Sequence, residues 1–258
     1  NTPTRPVQLH GNTYSVGTRG LAALLITSPK GHVLIDGGLP NTAPQIIRNI
    51  RALGFRERDV KLILNSHVHY DHAGGLAALQ RMTGAVVAAS RKSAPVIRTG
   101  KGGSDDPQYG LLLPMAPVAR VQVFDDGDTL RVGDLALVAH LTPGHTPGGT
   151  SWTWLSCSGG TCQRFVYADS QTPVAADSVY FSRNTTYPTV LQDFEKSFRA
   201  IEAFACDVLV TPHPSASNLW NRVEGKDGAQ LVDRTACDRY AANARQALAR
   251  RVAAERSR

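Results

Sequence analysis

The chain has 258 residues, 28 Lys+Arg against 21 Asp+Glu for a formal charge of +7, and is 42% hydrophobic and 19% charged. These are globular proportions, which exclude a disordered chain, and the length is enough to bury a sizeable core. No apolar run approaches the roughly 18 residues of a membrane span, and residues 234–258 carry +5 of the charge (seven Arg, two acids), which reads as a solvated helix end rather than a nucleic-acid face.

In chain order, strands are predicted over 10–19, 21–26 and 33–36, with a turn at Ser28-Pro29-Lys30-Gly31. A helix over 43–53 stops at Gly54. A short apolar strand follows over 61–64, then a helix over 75–82 and a strand over 85–89. From 94 to 117 the periodicity dissolves into glycines, prolines and Asp105-Asp106-Pro107, the mark of a long irregular loop. Strands resume over 121–124, 129–132, 135–141, 150–155 and 164–168. A helix over 191–204, a buried-type strand over 207–211 and a mostly helical 229–254 complete the chain. The order of strands, helix, strand, helix occurs twice, which predicts two sheets packed face to face with helices outside.

Four cysteines are present. Cys157 and Cys162 flank the turn sequence Ser158-Gly159-Gly160-Thr161, which would bring them together and leave Cys206 to pair with Cys237. Two disulfides would fit an oxidising, exported setting; the alternative is four buried free thiols. No basic-then-apolar leader precedes Asn1, so an exported protein is expected to have lost its signal peptide already.

The chemistry concentrates in Asn65-Ser66-His67-Val68-His69-Tyr70-Asp71-His72-Ala73-Gly74-Gly75, between a strand and a helix. In extended chain alternate residues share a face, so His67, His69 and Asp71 converge, and His72 stands where the helix begins. Three imidazoles and a carboxylate so close are metal-ligand types. His145, in Thr142-Pro143-Gly144-His145-Thr146-Pro147-Gly148-Gly149, and His213, in Thr211-Pro212-His213-Pro214, follow strands in turn-rich loops and are expected to join them. His10, His32 and His140 lack such context. Six donors exceed one catalytic zinc and fit two metals with three donors each, a pair able to share an acidified water as nucleophile. The expected reaction class is metal-assisted hydrolysis.

These motifs resemble the metallo-β-lactamase superfamily, and its subclass B3 in particular. Further stretches carry the likeness over nearly the whole chain, among them His10-Gly11-Asn12-Thr13-Tyr14, Val33-Leu34-Ile35-Asp36-Gly37, Thr150-Ser151-Trp152-Thr153-Trp154, Tyr167-Ala168-Asp169-Ser170 and Cys206-Asp207-Val208-Leu209-Val210-Thr211-Pro212-His213-Pro214. The resemblance implies an α/β fold, a four-layer αββα sandwich over a single domain 1–258. It implies one zinc on His67, His69 and His145 and a second on Asp71, His72 and His213. It also implies that Asp71 orients a metal-bridging hydroxide, that Ser170 and Thr172 hold the substrate carboxylate, and that the loop around Gln108 and Tyr109 covers the substrate. The implied activity is opening of penicillins, cephalosporins and carbapenems, giving antibiotic resistance, by a periplasmic or secreted monomer without nucleic-acid or membrane partners. Asp36 is a candidate to support the site through hydrogen bonds. Gln171 departs from the subclass, which usually has an apolar residue there, and is expected to face solvent. The rival within the superfamily is a thioesterase or lactonase in which Asp169 bridges the metals.

Overall fold

A computed structural model describes residues 2–257. Its first sheet holds seven strands in chain order: β1 (Val7–His10), β2 (Thr13–Ser15), β3 (Leu24–Ile26), β4 (His32–Ile35), β5 (Val60–Leu64), β6 (Val86–Ser90) and β7 (Val121–Phe124). Pairing is antiparallel from β1 to β4 and parallel from β4 to β7. The second sheet is built from β8 (Thr129–Val132), β9 (Leu135–Leu141), β10 (Thr150–Ser158), β11 (Thr161–Tyr167) and β12 (Val208–Val210), in the order β12-β11-β10-β9-β8. Here only β11 and β12 run parallel.

The helices are α1 (Ala43–Ala52), α2 (Tyr70–Ala73), α3 (Leu76–Thr83), α4 (Ser93–Thr99), α5 (Val190–Ala203), α6 (Leu219–Glu224) and α7 (Ala236–Arg256). Strand alternation divides the apolar side chains among three interfaces. Val33, Ile35, Leu62 and Leu64 point between the sheets, where they meet Leu137, Trp152, Phe165 and Tyr167. Their neighbours Leu34 and Ile63 point the other way, onto Ile46, Ile50 and Leu79 of α1 and α3. On the second sheet Val166 and Leu209 turn outward onto Phe194 and Phe198 of α5 and Tyr240 of α7. Strands covered on both faces read as continuous apolar runs, which is why β4 is buried at every position. The result is helix, sheet, sheet, helix, as the sequence predicts.

Several boundaries differ from the prediction. The expected strand 10–19 is a hairpin, β1 and β2, broken by Gly11 in the left-handed region at φ +51°. The expected loop 94–117 begins as α4, whose Pro95 falls in its first turn, where proline costs little; the chain is irregular after Gly100. Residues 229–235 are not helical, and α7 starts only at Ala236. The short α2 and α6 carry too few residues to register a period.

Both disulfides form, Cys157–Cys162 across the β10–β11 hairpin and Cys206–Cys237 between the residue pair preceding β12 and α7. No cysteine is free among the described residues. No described helix is long and apolar enough to cross a membrane.

Candidate metal centre

Strand β5 ends at Leu64, and His69 is extended (φ −73°, ψ 151°) just before α2 begins at Tyr70. The alternation expected from the sequence therefore holds for His67 and His69 but stops there. Asp71 lies in the first turn of α2 beside His72, and this splits the motif into two directions. His67 and His69 meet His145, from the loop between β9 and β10. Asp71 and His72 meet His213, from the loop after β12. Within each group one donor atom per residue lies within 4.8 Å of the others. Ring centroids of His67, His69 and His145 are 4.8–5.0 Å apart, and His67 stands 4.4 Å from His72, so the two groups adjoin.

The outer ring nitrogens of the first group are all satisfied by oxygens. His67 Nδ1 lies 2.7 Å from Asp169 Oδ1, His145 Nδ1 donates to the Thr172 carbonyl at 2.7 Å, and His69 Nε2 lies 3.1 and 3.2 Å from the two oxygens of Asp106. Acceptors on these atoms fix each N–H outward and leave the other nitrogen of each ring as an acceptor. His67 Nε2 is such an atom, buried without a partner. In the second group His72 Nε2 and His213 Nε2 face each other at 3.1 Å, with Asp71 Oδ2 at 3.2 and 3.4 Å. A carboxylate and two imidazole nitrogens turned toward one point fit a divalent cation of intermediate softness.

Electrostatics agree with neutral imidazoles. Burial, reinforced by the neighbouring rings, holds His67 well below the usual histidine range and pushes His145 down to about 3. Burial lowers His213 as well. Burial alone would raise Asp71, but its hydrogen bond with His72 outweighs this and holds the carboxyl well below its usual range, so it stays ionised. Neutral imidazole and ionised carboxylate are the metal-binding forms.

Behind the donors lies a second set of polar contacts. Asp36, left-handed at φ +62° and wholly buried, accepts hydrogen bonds from the Ser66 N–H (2.8 Å), the Ser66 hydroxyl (2.7 Å) and the Tyr167 hydroxyl (2.7 Å). It thus ties the end of β4 to the residue before His67 and to the second sheet, the supporting role expected of it. Gly75 lets the α2 turn press against Gly37, because a Cβ there would sit 2.2 Å from the Gly37 carbonyl.

Of the other expected residues, Ser170 is buried next to Asp169 and Thr172 is exposed with its hydroxyl 3.3 Å from His145 Nδ1. The Gln108 amide nitrogen lies 3.5 Å from His69 Nδ1. One expectation is corrected, and the rival reading loses its bridging residue. Gln171 does not face solvent; it is fully buried and its amide donates to the Thr142 carbonyl at 3.1 Å, because the polar β9–β10 loop lies where an apolar side chain would leave that carbonyl unpaired. Asp169 does not stand between the two donor groups but behind His67. Asp106 was missed. Only its place in the loop signal Asp105-Asp106-Pro107 marked it, and nothing local links it to His69, 37 residues away.

The superfamily profile for metallo-β-lactamases matches residues 17–159, more than half of the chain. The chain belongs to the metallo-β-lactamase superfamily. Among solved structures it is similar to MEM-A1, a subclass B3 metallo-β-lactamase isolated from a soil metagenome library (48% identity, 100% of this chain and 98% of that one, TM-score 0.97). It is similar also to Rm3 metallo-β-lactamase (52% identity, 99% and 96%, TM-score 0.97). Among curated relatives it matches the N-acyl homoserine lactonase AttM of Agrobacterium fabrum, 30% identical over 50% of this chain and 57% of that protein. The chain spans about half the length, or less, of the curated relatives it matches. The metallo-β-lactamase fold explains why the donors gather where they do: each comes from the segment that follows a strand, β5, β9 or β12.

Proposed function

We propose that residues 1–258 form one subclass B3 metallo-β-lactamase domain that opens the β-lactam ring of penicillins, cephalosporins and carbapenems and so confers antibiotic resistance. The observation that carries this reading is the pair of adjoining three-donor groups, His67/His69/His145 and Asp71/His72/His213, in a chain that aligns end to end with subclass B3 structures. We assign the first group to one zinc and the second to another. When bound, such a pair polarises a carbonyl oxygen and brings water to ionise near neutral pH.

The chain's own residues supply the rest. Asp71, half-buried and ionised, accepts a hydrogen bond from the attacking water and aims it at the lactam carbonyl. Asp169, Asp106 and Thr172 hold three imidazoles in the tautomer that presents a lone pair inward. Ser170 and Thr172 receive the substrate carboxylate, and Gln108 closes over the ring from the 100–118 loop. Both donor groups come from one chain, so the site needs no residue of a second copy, and we take the working unit to be a monomer. The two disulfides support an exported, periplasmic or secreted protein.

The test is a substrate panel on the purified zinc-loaded protein: a penicillin, a carbapenem, an N-acyl homoserine lactone and a glutathione thioester. The proposal requires β-lactam turnover to exceed the others by orders of magnitude. Preferential lactone cleavage would move the protein to the activity named for AttM, which it matches over half its length.

A further inference from the structure

Two loops bound the first donor group. One runs from Gly100 to Arg120 between α4 and β7; the other runs from Ala168 through Val179 after β11. Each contributes the atom that orients one imidazole. The Asp106 carboxylate, itself buried, takes His69 Nε2 at 3.1 and 3.2 Å. The Thr172 carbonyl takes His145 Nδ1 at 2.7 Å. Asp106 also accepts the backbone N–H of Gln108 at 2.8 Å, the residue whose side chain approaches the other nitrogen of the same imidazole. One residue on, the Pro107 carbonyl accepts the Ala176 N–H at 2.9 Å, which joins the two loops directly. A closed path therefore runs from His69 to Asp106, through Pro107 to Ala176, along the chain to Thr172 and on to His145.

The far end of the 100–118 loop is anchored by Met115 and Val118, which pack on the outer core of the first sheet and donate to the Gly100 and Ile97 carbonyls, while its middle projects outward. Tyr109, Leu111 and Leu113 are 53–60% exposed. Loops with few buried contacts open at low free energy. The contacts made by 106 to 108 tie that projecting middle to the first donor group and to the second loop.

We infer that Asp106 is a positioning residue that couples occupancy of the first metal group to closure of both loops. This rests on the reading of His67, His69 and His145 as metal donors. Fixing the His69 Nε2–H on Asp106 sets the tautomer and the ring plane. Reciprocally, a cation that fixes the ring holds Asp106, and with it Gln108 and the joined loops, since coupling between two sites acts in both directions.

The test compares wild type with Asp106→Asn and with the reverse lesion, Ala176→Pro, which removes the N–H that joins the loops. Zinc affinity is read by competition with a chromophoric chelator, and loop protection by amide hydrogen exchange with and without zinc. Wild type is expected to bind two zincs and to gain protection over 100–118 and 170–178 on loading. Asp106→Asn is expected to weaken one zinc about ten- to hundredfold, to leave the other unchanged and to lose the zinc-induced protection. Ala176→Pro keeps the Asp106 carboxylate and is expected to lose protection over 170–178 first. Unchanged zinc affinities in Asp106→Asn, or zinc-induced protection that survives in it, would overturn the coupling. Failure of wild type to bind zinc would instead overturn the donor assignment, so the two outcomes are distinct. Circular dichroism of the metal-free variants separates either result from simple misfolding.

Discussion

Asp169 Oδ1 and His67 Nδ1 lie 2.7 Å apart, both fully buried, on opposite sheets of the sandwich. Burial pushes the Asp169 carboxyl well above its usual range and holds the His67 imidazole neutral, well below its own. The carboxylate orients the ring rather than bridging two cations. Asp169→Asn is therefore expected to lower affinity for one zinc about ten- to hundredfold while two zincs still bind at saturating metal. A variant that binds only one zinc at any concentration would show that Asp169 is itself a ligand, as in the thioesterase reading.

His145→Ala removes a donor outright. It is expected to lose one zinc and most of the activity while the fold is kept. Metal analysis by mass spectrometry checks this, and two retained zincs with unchanged turnover would refute the donor set.

The metal-free protein should be acid-sensitive at His145. Burial pushes it down to about 3 in the folded chain, below the ordinary histidine value of 6.5. Between those values the unfolded chain binds a proton that the folded chain refuses, so stability falls as pH drops through about 6.5 and stops falling near 3. The slope from this one group approaches about 1.4 kcal/mol per pH unit inside that window. Urea midpoints of metal-free wild type and metal-free His145→Ala at pH 7.5 and pH 5 isolate it. Wild type is expected to lose more than the variant, and equal losses would count against a buried neutral imidazole.

Gly149 marks how tightly the Asp169 carboxylate is enclosed. A Cβ at this position would stand 2.4 Å from Asp169 Oδ2 and 2.7 Å from the Thr142 carbonyl. Gly149→Ala is expected to cost about 1–3 kcal/mol of stability from overpacking and to weaken zinc binding through His67. A melting temperature equal to wild type with intact zinc affinity would contradict this.

The disulfides should differ in weight. Cys206–Cys237 closes 31 residues of sequence and pins α7 to the second sheet, whereas Cys157–Cys162 closes 5 across an existing hairpin. Replacing the first pair by alanine is expected to cost about 2–5 kcal/mol and the second distinctly less. Denaturant midpoints of the two double variants decide the order.

What could be read from the sequence was what is local. His67, His69, Asp71 and His72 sit within six residues, and their types announce a metal. The strands of the core announced themselves because burial on two faces leaves continuous apolar runs such as β4. The hairpin of β1 and β2 was hidden because Gly11-Asn12 interrupts an otherwise unbroken alternation. Asp106 and the burial of Gln171 were illegible for another reason: their partners, His69 and Thr142, are brought close only by the packing of the two sheets and their loops. A carboxylate in a glycine-rich loop looks the same in sequence whether it faces water or an imidazole.

The central claim is that the two donor groups hold the metals on which β-lactam hydrolysis depends. It is tested most directly by following carbapenem hydrolysis while zinc is removed by a chelator and returned by titration, with bound zinc counted at each point. The account predicts that activity is abolished on removal and recovers to a plateau at about two zincs per chain. Hydrolysis that persists in the zinc-free protein, or a zinc-saturated protein with no β-lactam turnover, would contradict it.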